Sequence, residues 1–180
     1  SAMNSINWAR VMAQVVYYVT AARTLGASTT SPVSFAVPTG NFGNVFAGWA
    51  AQAMGLPVGR LIVASNRHDI LVRFLDRGAM VAADVVATSS PSMDIGVSSN
   101  FERLLFEATS RDGGACAATM AAFAADGEYR VLPEVHGTIT DYFDGVRVSE
   151  DEVDEEMAAW HRRGLLVDPH SAIGLRAAEA

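Results

Sequence analysis

The chain contains no lysine. All 13 of its basic residues are arginine, which keeps its proton at any ordinary pH, so no side chain can act as an amine nucleophile or form a Schiff base. Cysteine is almost as scarce. Cys116 stands alone among 180 residues, which excludes intramolecular disulfides and thiolate zinc sites and fits a reducing cytoplasm. No segment reaches the roughly 18 apolar residues of a membrane span. The first residues lack the basic region and apolar run of a secretion signal, so a soluble, cytoplasmic protein is expected. Ser1-Ala2-Met3 is either native or a cloning remnant. With a formal charge of −7 and a pI near 5.0, there is no basic stripe to neutralise phosphates, so nucleic acid is not an expected partner. Small molecules or other proteins are. His68, His136, His161 and His170 lie far apart without the spacing of a metal motif, and no metal site is expected.

Half of the residues are apolar, enough for one domain with a real core. From Ser5 to Leu25, Trp8, Met12, Val15, Val16, Val19 and Ala22 recur at helical spacing, with Ser5 as a candidate cap and Gly26 as the stop. "VSFAV" at 33–37 reads as a buried strand, and residues 45–54 as a helix ended by Gly55-Leu56-Pro57. "RLIVAS" at 60–65 reads as a second buried strand, followed by a helix over 70–77. Such alternation predicts an α/β fold with an open, mostly parallel sheet flanked by helices. We expect residues 1–180 to form a single α/β unit. The serine-rich stretch "TSSPSMDIGVSSN" at 88–100 is a loop of about a dozen residues, a length that is often functional.

Helices are expected over 101–109 and 115–125, whereas "GEYRVLPEVHGTITDYFDGVRVS" at 127–149 suggests one or two short strands or an irregular excursion. "SEDEVDEEMAAWHRRG" has a serine cap, acids in the first turns and arginines in the last, a capped helix with a solvated acidic face. In "DPHSAIGLRAAEA", Asp168 and Pro169 start a terminal helix. His170 reads as satisfying that helix start, and Cys116 as a small buried hydrophobe.

The chemistry-bearing stretch is "SFAVPTGNFGNVFAG" at 34–48. In open parallel sheets, ligands collect beyond the carboxyl ends of strands, at the amino ends of the next helices. Free amides at a helix start favour an anion, and glycine lets backbone approach it closely. The stretch lacks a Walker G-K-[ST] and a G-x-G-x-x-G spacing. From pattern alone, two readings stand open: a phosphate seat at Gly40, Asn41, Phe42, Gly43 and Asn44, or a tight strand-to-helix turn that needs glycine for its dihedrals.

Five segments in order, "NSINWARVMAQVVYY" at 4–18, "VPTGNFGNVFAG" at 37–48, "GLPVGRLIVASNRHDIL" at 55–71, "SPSMDIGVSSNFERLL" at 90–105 and "DPHSAIG" at 168–174, resemble threonine synthase of the bacterial and fungal kind. The resemblance implies part of a fold type II pyridoxal-phosphate enzyme, converting O-phosphohomoserine and water to threonine and phosphate. It implies that Gly40, Asn41, Phe42, Gly43 and Asn44 hold the phosphate of pyridoxal 5'-phosphate. Relatives often carry aspartate at the position of Asn44, and asparagine removes a negative charge beside a phosphate dianion. The resemblance makes Asn4, Ser5, Asn7 and Asn66 candidates for substrate or cofactor contacts, and puts Ser92 and Asp94 in a loop that could border the pocket. It also implies a cofactor-bearing lysine in the upstream part of the family, so no catalytic residue is assigned in this lysine-free chain. An internal piece of such an enzyme is expected to be inactive alone, to need the remainder of the threonine synthase chain, and to self-associate through uncovered apolar surface. Two alternatives remain: another fold type II pyridoxal-phosphate lyase or dehydratase, and a non-catalytic phosphate-binding or interaction module.

Overall fold

A computed structural model describes residues 7–180. The first helix, α1, runs Trp8–Thr24 and is capped by Asn7, whose side chain accepts the Ala9 N–H. The expected cap Ser5 lies outside the described residues. The chain then forms β1 (Val33–Pro38), α2 (Gly43–Ala53), β2 (Val58–Ser65), α3 (Ile70–Arg77) and a short β3 (Ala79–Val81). After a 3-10 turn at Pro91–Met93 come α4 (Phe101–Ala108), α5 (Gly113–Asp126), β4 (Glu128–Arg130), α6 (Pro133–Thr140), β5 (Phe143–Arg147), α7 (Glu150–Arg162) and α8 (Pro169–Ala178).

The strands β1, β2 and β5 form a parallel sheet in that order, with Val37 beside Val63 and Leu61 beside Phe143. α2 makes the crossover from β1 to β2, and everything from α3 to α6 makes the crossover from β2 to β5. The sheet is buried on both faces, as parallel sheets require. One face carries Leu61 and Val63 against Val45, Phe74, Phe101, Ile139 and Phe143. The other carries Ala64 against Val148, Val153, Ala172 and Ile173 of the α7–α8 end.

The region from 127 to 149 holds more than the alternation suggests. β4 pairs antiparallel with β3, and α6 is a helix that begins with Pro133 in its first turn. Arg60 ties this excursion to β2. Its guanidinium donates to both carboxylate oxygens of Asp144 and to the carbonyls of Thr140, Asp141 and Phe143.

The inward face of α1 is also not the one its hydrophobic pattern suggests. Val11, Tyr18 and Ala22 are buried, whereas Trp8, Met12 and Val16 are about half exposed. α1 packs on α2, and of its second apolar face Trp8 meets Phe46 edge-on and lies under Arg103, while Met12 and Val16 stay more than half exposed. Tyr18 explains the choice, because it reaches Asn44 in the first turn of α2.

Candidate functional site

β1 ends at Pro38, and the chain turns through Thr39 to Phe42 before α2 begins. Thr39 holds the last bond of the ladder: its N–H donates to Ala64 O at 2.8 Å, and its hydroxyl donates to Val37 O at 2.6 Å. Beyond it the N–H groups of Gly40, Asn41, Phe42, Gly43 and Asn44 have no protein acceptor among the described residues, whereas Phe46 N–H already closes the first turn onto Phe42 O. Consecutive amides without a protein acceptor at the positive end of a helix have the chemistry to receive an anion.

Neither glycine in this turn has positive φ. Phe42 does, at 64°. A bulky residue there costs on the order of 1–3 kcal/mol and persists only where its surroundings overdetermine it. The surroundings are aromatic. Phe42 is buried with ring centroids 5.0 Å from Phe101 and 5.4 Å from Phe143. Gly40 is needed for closeness rather than for dihedral freedom: a Cβ on it would lie 2.9 Å from Ser92 O and 3.2 Å from Met93 Cα. Asn44 is held from α1 by the Tyr18 hydroxyl, which donates to its backbone oxygen at 3.0 Å and its side-chain oxygen at 2.9 Å. Burial pushes the Tyr18 phenol well above its ordinary pKa, so it stays a donor.

Pro38 to Asn44 line a cavity of about 160 Å³ together with Ser92, Arg10 and Gln14. Arg10 brings a fixed positive charge to the wall. Neither Arg10 nor Gln14 was singled out by the sequence, although Asn7, Arg10 and Gln14 follow one another at helical spacing. A larger cavity of about 590 Å³, bordered by Trp8, Phe46, Phe106 and Cys116, has no such set of amides. Burial pushes the Cys116 thiol up, and Glu102 adds to it, the behaviour of a small buried hydrophobe.

The long loop after β3 is anchored at its start to the end of β2 and at its far end to the turn after β1. At its start, Asn66, fully buried at the end of β2, donates its amide to Thr88 Oγ1, Ser90 Oγ and Asp94 Oδ1 within 3.0 Å. Asn66 Oδ1 accepts the His68 N–H at 2.9 Å and faces His68 Nδ1 at 3.2 Å. His68 Nε2 accepts the Val86 N–H at 3.1 Å, which assigns the proton of the neutral ring to Nδ1. Burial pushes the Asp94 carboxyl up, but the hydroxyl and N–H of Thr88 and the amide of Asn66 outweigh it and hold the group below its usual range. At the far end of the loop, Ser98 donates to Gly40 O, Ser99 to Asn41 Oδ1, and Asn100 to Asn41 O.

The sequence candidates therefore separate. Gly40 to Asn44 and Ser92 come together around one cavity. Asn7 sits at the start of α1 as its cap. Asn66 and Asp94 do not line that cavity and belong to the network that anchors the loop. His170 contributes its Nε2 to the Ser92 N–H at 3.3 Å, joining α8 to the same loop. Asn4 and Ser5 lie outside the described residues. Among the described residues no cluster of three or more metal-type ligands exists, and no helix is long and apolar enough to cross a membrane.

No family model matches the chain. A threonine synthase of Pseudomonas aeruginosa is 52% identical over 178 residues, covering 98% of this chain and 38% of the relative. The threonine synthase of Saccharomyces cerevisiae is 37% identical, again over 38% of its length. Among solved structures, the PLP-bound threonine synthase of Brucella melitensis superposes with a TM-score of 0.95 at 49% identity, covering 99% of this chain and 39% of that one. The yeast threonine synthase gives 0.92 at 36% identity, covering 98% and 38%. The parallel sheet with its flanking helices is thus that of a fold type II pyridoxal-phosphate enzyme. Within that class the relatives are threonine synthases, and the chain matches a segment of them in sequence and in backbone. It spans about two fifths of the length of the relatives it matches.

Proposed function

We propose that this segment seats the phosphate of pyridoxal 5'-phosphate in a threonine synthase, which converts O-phosphohomoserine and water to threonine and phosphate. One observation carries the reading: the N–H groups of Gly40 to Asn44 have no protein acceptor among the described residues, and they belong to residues that line one cavity with Arg10 at the amino end of α2. A phosphate dianion would receive those N–H groups, the helix dipole and a nearby guanidinium charge. Asn44 keeps the seat free of a carboxylate, with its side-chain oxygen already satisfied by Tyr18.

When bound, the cofactor supplies an electron sink for proton removal from the substrate carbons and loss of the γ-phosphate. This chain's own residues supply the seat. Arg10 adds charge at its wall, Gln14 a neutral amide, and Ser92 a lid edge held by His170. Asn7, with its side-chain oxygen used in capping, can offer its amide hydrogens to substrate, and Asn4 and Ser5 complete the same segment. Asn66 acts at one remove, by fixing the loop that carries Ser92.

Residues 1–180 form one α/β unit of the cofactor-binding region and work in the cytoplasm with the remainder of a threonine synthase chain. The exposed Trp8, Met12, Val16 and Tyr17 support a surface that the remainder covers, and that drives self-association without it. Because none of the 13 basic residues is lysine, the 180 residues alone form no threonine from O-phosphohomoserine. Titration of isotope-labelled chain with inorganic phosphate and then pyridoxal phosphate, followed by NMR, tests the seat. The amides of Gly40 to Asn44 should shift first and most. Shifts elsewhere with none in this turn would refute the reading, and threonine formed by host-free protein would refute the inactivity.

A further inference from the structure

We propose that Ser98 and Asn100 are positioning residues that aim the N–H groups of Asn41 and Phe42 at a bound phosphate; the inference rests on reading the turn 40–44 as an anion seat. In a trans peptide, the carbonyl oxygen and the following N–H lie on opposite sides of the same plane, and no peptide here is cis. Whatever holds the oxygens of Gly40 and Asn41 therefore dictates where the N–H groups of Asn41 and Phe42 point.

Both oxygens are held by the same short segment. The Ser98 hydroxyl donates to Gly40 O at 2.9 Å. Asn41 O accepts twice, from the Asn100 N–H at 3.2 Å and from Asn100 Nδ2 at 2.9 Å, so both of its lone pairs are occupied. The Ser99 hydroxyl, 3.2 Å from Asn41 Oδ1, keeps that side chain aside as well. Asn100 is completely buried and Ser98 nearly so, and Asn100 Oδ1 is itself fixed by the Arg103 Nε at 3.1 Å. The segment cannot drift, because Asn100 leads directly into α4, whose Phe101 packs edge-on to Phe42.

With the carbonyls drawn toward 98–100, the two N–H groups point away from that segment, which is not among the residues lining the cavity at the turn. A seat of this kind needs no reorganisation when an anion arrives. Releasing either carbonyl lets its peptide plane rotate, and the N–H turns away from the anion.

The test uses two variants of the isotope-labelled chain. Asn100→Asp keeps size and Oδ1 but replaces the donor to Asn41 O with an acceptor; Ser98→Ala removes the donor to Gly40 O, and Ser98→Thr restores it. Residual dipolar couplings report the directions of the Asn41 and Phe42 N–H bonds, and a titration with inorganic phosphate reports affinity. The inference expects the Phe42 N–H to reorient in Asn100→Asp and the Asn41 N–H in Ser98→Ala. Gly43 and Asn44 should stay as they are, and phosphate affinity should drop about tenfold, the worth of one well-made hydrogen bond. Ser98→Thr should return both readouts toward the parent. Unchanged N–H directions in the folded variants overturn the inference whatever the affinity does. Reoriented N–H bonds in a chain whose parent binds no phosphate uphold the positioning of these amides and overturn the anion reading instead. Should Asn100→Asp fail to fold, Ser98→Ala against Ser98→Thr decides alone.

Discussion

Replacing Gly40 by alanine would set a methyl carbon 2.9 Å from Ser92 O and 3.2 Å from Met93 Cα. Both neighbours are backbone, so no rotamer change relieves the contact. The 3-10 turn that carries them cannot retreat cheaply. Met93 is buried in the α7–α8 core, the Ser92 N–H is bonded to His170, and Asp94 is drawn into the Asn66 network. Overpacking of this kind costs about 1–3 kcal/mol, and for a chain of this size each kcal/mol lowers Tm by about 2–4 °C. Gly43 supplies the control. A Cβ there meets only side-chain atoms, the nearest being Asn100 Nδ2 at 3.4 Å, and at the start of α2 alanine is a better helix former than glycine by up to about 1 kcal/mol. Denaturant unfolding should therefore show Gly40→Ala clearly destabilised and Gly43→Ala unchanged or slightly stabilised. If Gly40→Ala falls within about 0.5 kcal/mol of the parent, the range of an ordinary surface change, the loop is not pressed against the turn as described.

Three further outcomes follow. Phe42→Ala should cost about 3–5 kcal/mol for the lost ring, and Phe42→Gly, although it removes still more, should be more stable than Phe42→Ala by about 1 kcal/mol because only glycine accepts positive φ without penalty; the reverse order by denaturation would refute the strain at this residue. Asn66→Asp deprives Thr88, Ser90 and Asp94 of a donor and puts a second carboxylate beside Asp94, so it should destabilise strongly at neutral pH and recover part of the deficit as acid protonates one member of the pair; a deficit that does not change with pH would count against it. Asp168 caps α8 by accepting the Ser171 hydroxyl and the N–H groups of Ser171 and His170, which hold its carboxyl down to about 2. Its contribution should be complete above the unfolded value near pH 4 and vanish as pH falls through about 2. Asp168→Ala should thus cost about 1 kcal/mol at neutral pH and nothing at the acid end of a pH series of unfolding curves.

Where a local signal governs, the sequence was readable. The helix over 70–77, the Ser149 cap with its reciprocal Glu152 partner and the Asp168-Pro169 start of α8 all rest on contacts within a turn of the chain. Elements made by distant contacts were not. β3 and β4 are three residues each and meet across about fifty residues of sequence. α6 contains Gly137 and several β-branched residues, poor helix formers overridden by burial of Ile139; the proline at its start was the one local cue. At the site, the turn itself was visible from its two glycines, but its strained residue was not, because an aromatic side chain is a rare choice for positive φ. The separation of Asn66 and Asp94 from the cavity was equally hidden, since a buried network and a pocket wall use the same residue types.

Phe42 has a consequence for how changes spread through this molecule. The residue that sets the backbone of the turn is also an inner member of the ring cluster, where Phe101 links it onward to Phe74. Occupancy of the turn and solidity of the interior are thus a single thermodynamic quantity seen from two ends. An anion that binds only the folded turn would act as a folding ligand, adding about 2.7 kcal/mol at a hundredfold excess over its Kd, and a cavity opened at Phe74 would be felt as weaker binding some distance away.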